Sequence, residues 1–246
     1  MSSARRVRDS IVRGVDALGF GAHGLHVLVG TDEAAHRWTD GVREDVQSAS
    51  KAICVLAAGI AADEGLIDID APVGTCLPGV ELGDGVEFVT LRHLLTMTSG
   101  IDLPWSESMM SDWPDLAREF LRRPSRGRVF QYSNASTYTA MRVLATKVGD
   151  VAEFVSERLF APLGIIDVEW ERCPNGWIVA GEHPGYDRYA LAGWGGPGQA
   201  WRIHGAYGQM MIFLGDAVVT ITASDHFGAD AMAQRIVETL EAERTS

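Results

Sequence analysis

Lysine is almost missing from this chain: of 21 Lys and Arg residues, two are lysines, Lys51 and Lys147. Basic charge as a whole is also in deficit. The net charge of -12 argues against nucleic acid and anionic membrane as main partners, since both favour a basic surface. Cysteine is scarce. Cys54, Cys76 and Cys173 cannot all pair and show no metal-ligand spacing, which suits a reducing cytoplasm. Neither a metal nor an organic cofactor is expected. No apolar run is long enough to span a bilayer. Met1 to Arg13 carries charges but lacks the apolar segment of a secretory leader, so a cytoplasmic location is predicted. Internal repeats and low-complexity segments are absent, which removes solenoids and disordered linkers.

What is there is an ordinary globular composition, 46% hydrophobic and 22% charged over 246 residues. That is enough for one large domain or two closely packed layers. Val7, Ile11, Val15 and Leu18 recur at helical spacing across 4–18. Residues 25–29 read as a strand and 34–39 as a weaker one. Residues 48–64 read as a helix with Ile53, Leu56, Ala57 and Ile60 on its apolar face, ended by Gly65. Thr90 caps a helix over 91–97. Further helices fit 112–121, 136–148 and 151–158. A strand-rich end begins at 166–170 and includes 208–212 and 217–222 around the turn Gly215-Asp216. A helix over 230–244 closes the chain. This order predicts an α+β fold: an antiparallel sheet built from both chain ends and flanked by helices, with an all-helical subdomain inserted. The predicted division is 1–47 with 166–246 for the sheet-bearing part, and 48–165 for the mainly helical part.

The scarcity of lysine gives Lys51 its meaning. It stands three residues after Ser48, in Ser48-Ala49-Ser50-Lys51. Arg keeps its proton in a protein, whereas a desolvated Lys can release one. An amine one helical turn from a hydroxyl can activate a serine nucleophile, and Ala52, Ile53 and Val55 would help desolvate it. The plain alternative is Ser48 as an N-cap with Lys51 solvated. A second element is Tyr132-Ser133-Asn134, just before a helix. A phenol beside the amine can carry the serine's proton to the leaving group, and Asn134 can hold the substrate or the Lys. The plain alternative for Tyr132 is an ordinary half-buried aromatic. A third element, His204-Gly205-Ala206-Tyr207-Gly208-Gln209, has glycines that admit a ligand close to the backbone. An N–H there and that of Ser48 could together bind an oxyanion; the alternative is a hairpin with structural glycines.

In this order, Ser48-x-x-Lys51, Tyr132-x-Asn134 and the Gly-rich strand resemble the serine β-lactamase and penicillin-binding-protein superfamily. More specifically, they resemble its class C-like hydrolases: esterases, D-aminopeptidase-like amidases and 6-aminohexanoate-dimer hydrolases. The flanks carry it further, in 61–70, in 91–100, in 158–165 and in Gly205-Ala206-Tyr207-Gly208-Gln209. The resemblance implies Ser48 as nucleophile, Lys51 and Tyr132 as proton carriers, and Asn134 in substrate positioning. It implies the N–H groups of Ser48 and Ala206 as oxyanion hole, with Trp105, His204 and Gly205 at the substrate. Two features depart from the family pattern. Ile203 stands where a cation often heads the third motif, which disfavours an anionic substrate. The stretch 173–201 is a short link where family members carry a longer segment.

The function this implies is hydrolysis of a small ester or amide through an acyl-serine. Acyl transfer on the same site, β-lactam or D,D-peptide cleavage, and a non-catalytic binding relative are the alternatives. The partner is a small-molecule substrate. Oligomeric state is left open.

Overall fold

The computed structural model describes residues 1–41, 43–104, 107–108, 113–170, 188–196 and 199–245. The chain sorts into two compact units, Met1–Ala49 with His183–Ser246, and Ser50–Glu182.

The first unit holds α1 (Ser3–Leu18), β1 (Ala22–Val29), β2 (Asp32–Arg37), β3 (Arg188–Ala190), β4 (Gly193–Gly195), β5 (Trp201–Gly205), β6 (Gln209–Leu214), β7 (Ala217–Ala223) and α7 (Ala229–Arg244). The strands form one sheet in the order β2-β1-β7-β6-β5-β4-β3, antiparallel at every pairing. It is built from both chain ends, as the sequence pattern predicts. Alternation sets its faces. Val27 of β1, Ile212 of β6 and Val219 and Ile221 of β7 point inward and pack with Ile11 and Val15 of α1 and Met232 and Ile236 of α7. Each such large apolar side chain removed from water contributes about 1.5–3 kcal/mol. Leu18 is half exposed rather than on the buried face, because α1 ends there and the chain turns at Gly19.

Two stretches differ from the sequence reading. Residues 166–170 form no strand, and Ile166 is almost fully exposed; β-branched residues mark a strand only where an edge is available to pair with them. Conversely, β3 and β4 form a hairpin within 173–201, where the sequence predicts only a short link. Its turn residues Leu191 and Ala192 both have left-handed backbone, φ 49° and 69°. That tight-turn geometry normally announces itself by Asn-Gly or Asp-Gly, so Leu-Ala gives no signal.

The second unit holds α2 (Ser50–Asp63), α3 (Leu91–Leu95), α4 (Leu116–Leu121), α5 (Asn134–Val148) and α6 (Val151–Val155), the last followed by a wider turn over Ser156–Phe160. Asp112, the expected start of the helix ending at Leu121, lies outside the described residues; the side chain of Asp115 caps α4, accepting from the N–H of Arg118 at 3.2 Å. The buried face of α2 is Lys51, Cys54, Ala57, Ala58 and Ala61. Leu56, expected inside, is 51% exposed. Lys51 apart, the helix turns small residues inward, Cys54 and three alanines, into the cluster that holds Ala135, Ala140 and Met141 of α5. Small side chains let two backbones approach, and size, not hydrophobicity alone, selects the inward face.

Candidate active site

The residues singled out from the sequence divide between the units. Lys51, Tyr132 and Asn134 belong to the second; Ser48, His204, Gly205 and Ala206 belong to the first.

Lys51 lies in the first turn of α2, 2% exposed. Its Nζ donates a hydrogen bond to Oδ1 of Asn134 at 2.9 Å. It also lies 5.1 Å from the centroid of the Tyr132 ring, within the range of cation–π attraction. Two motifs 83 residues apart in sequence thus converge on one amine. Burying an ammonium is costly without compensating polar contacts, and the Asn134 amide oxygen and the Tyr132 ring supply such contacts here. Cys54, one turn further along α2, is fully buried. Burial pushes its thiol up to about 12, against the opposing pull of the Lys51 charge, so it stays a neutral thiol.

Tyr132 is half-buried in the segment that enters α5. The backbone fixes it from both sides. The N–H of Gln131 donates to the carbonyl of Met97 at 2.8 Å, and the hydroxyl of Ser133 donates to the carbonyl of Leu103 at 2.8 Å. Ser133 is the N-cap residue of α5 yet makes no capping bond; its hydroxyl is used to anchor the segment instead. Asn134 then opens the helix and presents its amide to Lys51. The sequence reading missed this anchoring, because a Ser before a helix reads first as a cap.

In the first unit, Ser48 is buried in the 3-10 turn Gln47–Ala49, which runs directly into α2 at Ser50. Its predecessor Gln47 has left-handed backbone, φ 51°, held by Asp45: Oδ1 accepts from the Gln47 N–H at 2.8 Å and Oδ2 from its side-chain amide. A non-glycine residue in that region is under mild strain and needs such support. The segment lies against β5. A Cβ added to Gly205 would fall 2.3 Å from the carbonyl oxygen of Val46 and 3.1 Å from Cβ of Gln47. Only glycine lets the end of β5 approach the segment leading to Ser48 this closely.

Ala206 follows at the start of the turn Ala206–Gly208, where Tyr207 also has left-handed backbone, φ 60°. Register separates the remaining expectations. His204 pairs with Met210 and Arg202 with Ile212, so both side chains lie on the helix-covered face of the sheet. His204 is buried there, and Arg202 meets Asp230 of α7 at 2.8 Å, with burial pulling its guanidinium down to about 10. Gly205, Ile203 and Trp201 occupy the opposite face, paired with Gln209, Met211 and Phe213. The structure therefore does not bring His204 to the face of Gly205, because strand alternation sends neighbours to opposite sides. Trp105 lies outside the described residues. Trp194 is buried, edge-on to Tyr189 at 4.6 Å between centroids.

Comparison with known proteins follows the same lines. The model of the family Beta-lactamase matches residues 13–188. Among solved structures, a class C beta lactamase from Rhodobacter sphaeroides superposes with TM-score 0.72 at 15% identity, over 98% of this chain and 99% of that one. A beta-lactamase/D-alanine carboxypeptidase from Yersinia pestis, complexed with citrate, gives 0.72 at 15% identity over 98% of each. A putative 6-aminohexanoate-dimer hydrolase from Bacillus anthracis gives 0.71 at 14% identity, over 95% of this chain and 81% of that one. At these identities the structures establish a shared fold. Among the described residues no helix is long and apolar enough to cross a membrane.

Proposed function

The chain belongs to the beta-lactamase family, and on that premise we propose that it is a serine hydrolase cleaving a small ester or amide through an acyl-serine intermediate. The observation that carries this reading is the buried Lys51 amine, held by Asn134 and lying over Tyr132, in a chain that otherwise uses Arg. A scaffold kept for binding alone has no use for a buried amine three residues after a serine.

In the proposed reaction the Ser48 hydroxyl attacks the substrate carbonyl, and its proton passes to the Lys51–Tyr132 pair. The backbone N–H groups of Ser48 and Ala206 bind the oxygen that becomes negative. The proton then goes to the leaving alcohol or amine, and the carbon–leaving-group bond breaks. Water attacks the acyl-serine with the same pair as base, releasing the acid and restoring Ser48. Ile203, on the Gly205 face of β5, puts an apolar side chain where a cation would recognise a substrate carboxylate. That favours a neutral ester or amide over a β-lactam or peptide carboxylate.

Intact mass after treatment with a fluorophosphonate, on wild type and on Ser48→Ala, tests the reading. One adduct on wild type that disappears in Ser48→Ala is the expected result. No adduct on folded wild type would favour a non-catalytic relative.

A further inference from the structure

His23 is the extra residue of a β-bulge in β1, where the pairing with β7 shifts between Ala22 and Gly24. Bulges re-aim a side chain out of the strand's alternation. Here the bulge turns the His23 ring between two partners. Nδ1 lies 2.7 Å from Oε1 of Glu44, and Nε2 lies 3.2 Å from Oγ of Ser224. The backbone is tied down too: the N–H groups of Trp38 and Thr39 both donate to the carbonyl of His23, at 2.9 and 3.3 Å.

Each partner leads to a different part of the proposed oxyanion hole. Glu44 stands four residues before Ser48, on the segment that Asp45 shapes at Gln47 and that Gly205 admits at Val46. Ser224 directly follows β7, and its neighbour Asp225 donates its N–H to the carbonyl of Tyr207 at 3.1 Å, next to Ala206. One imidazole therefore spans the two backbone segments whose N–H groups would bind the oxyanion.

We propose that His23 is a positioning residue: by bonding Glu44 on one side and Ser224 on the other, it fixes the spacing of the Ser48 and Ala206 N–H groups. The proposal rests on the acyl-serine reading above. The atom order, carboxylate to Nδ1 and hydroxyl to Nε2, is also that of a Ser-His-acid nucleophile. Ser224 is a poor candidate for that role, because its own N–H is committed to the carbonyl of Gly21 at 2.9 Å. The nucleophile's own amide is commonly one donor of an oxyanion hole.

A group that only aligns oxyanion donors acts on the transition state and leaves ground-state binding alone. The test is steady-state hydrolysis of p-nitrophenyl acetate by wild type, Glu44→Ala, Glu44→Gln, Ser224→Ala and His23→Ala, with thermal melts of each. Losing an oxyanion donor outright costs ~10²–10³ in kcat; misaligning one is expected to cost about tenfold. The expected result is that fall in kcat for Glu44→Ala, Ser224→Ala and His23→Ala, with KM within about twofold. Glu44→Gln, whose amide oxygen still accepts from Nδ1–H, keeps most of the rate. Unchanged kcat in the folded Ser224→Ala and Glu44→Ala variants would overturn the proposal, as would a rise in KM alone. A fluorophosphonate adduct that survives Ser48→Ala and disappears in Ser224→Ala would overturn it differently, by making Ser224 a nucleophile. A wild type that neither turns over the ester nor takes the label would remove the acyl-serine reading, and this inference with it.

Discussion

The amine of Lys51 donates to Oδ1 of Asn134 at 2.9 Å, although 83 residues separate the two and the amine is 2% exposed. Removing one partner of such a pair leaves the other without its match, at ~1–3 kcal/mol. Lys51→Met is therefore expected to fold with a melting temperature lowered by ~2–4 °C per kcal/mol lost, and to lose ~10²–10⁴ of its hydrolysis rate, the usual worth of a positioned proton carrier. Lys51→Arg restores a charge that cannot be given up and should be as inactive. Rates on a short acyl ester beside thermal melts check both. Retained turnover in a folded Lys51→Arg would exclude activation by a neutral amine.

Gly205 gives a second prediction. Its Cα faces the Val46 carbonyl so closely that a Cβ would sit 2.3 Å from the oxygen, and backbone on both sides must shift to admit one. Gly205→Ala is expected to cost roughly 2 kcal/mol or more, in the range of strained or overpacked sites. It should also slow fluorophosphonate labelling of Ser48 beyond what the loss of stability explains. Labelling rates taken well below the melting temperature separate the two effects. A labelling rate equal to wild type would show that the approach of β5 to this segment is irrelevant to the serine.

Much of the architecture was legible because both ends of the chain carry strong periodicity. β7 alternates buried and half-buried along its whole length, and α1 spaces Val7, Ile11 and Val15 by fours. The convergence of Lys51 with Tyr132 and Asn134 was legible as a set of motifs, although no spacing rule gives its distances. What escaped reading did so for definable reasons. The β3–β4 hairpin turns on Leu191-Ala192, which lacks turn chemistry. The inward face of α2 is chosen by size, so Leu56 misled. The His204 side chain was placed with Gly205 by motif, and one residue of register sends it to the other face. His23 was invisible because a bulge cannot be inferred from one strand without its partner.

His93 predicts a dependence of stability on pH. It closes the N-terminus of α3 reciprocally with Thr90: the Thr90 N–H donates to Nδ1 at 3.1 Å, and the His93 N–H donates to Oγ1 of Thr90 at 3.3 Å. Nδ1 must carry a lone pair to accept. Burial lowers the His93 pKa below its ordinary value, with the Arg128 and Arg92 charges adding and the Asp70 carboxylate opposing. The unfolded chain, titrating near ~6.5, then binds the proton more readily than the folded one. Stability rises with pH wherever the unfolded state holds more protons. His93 therefore costs nothing well above that value, and its penalty grows as pH falls through it, reaching full size below the folded pKa. His93→Gln keeps an acceptor for the Thr90 N–H and does not titrate. Urea midpoints between pH 5 and 8 should show a steeper acid-side loss in wild type than in the variant; parallel profiles would contradict this role.

The packing of α2 supplies the last prediction, because sequence and structure assign its faces differently. By apolar spacing Leu56 belongs inside, yet it is 51% exposed, while Ala58 and Ala61 are fully buried. If the small residues make the contact surface, charge at Leu56 is harmless and bulk at Ala61 is not. Leu56→Lys is expected to change stability by no more than ~0.5 kcal/mol, as exposed sites do. Ala61→Leu adds three carbons to a cluster that already contains Ala57 and Leu144, and overpacking of that kind costs ~1–3 kcal/mol. For a chain of this length each kcal/mol lowers the melting temperature by ~2–4 °C, so calorimetry resolves the difference. The opposite ranking, with Leu56→Lys the more damaging, would mean that α2 packs through its large residues and that Lys51, on the Ala61 side of the helix, is not held in the interior.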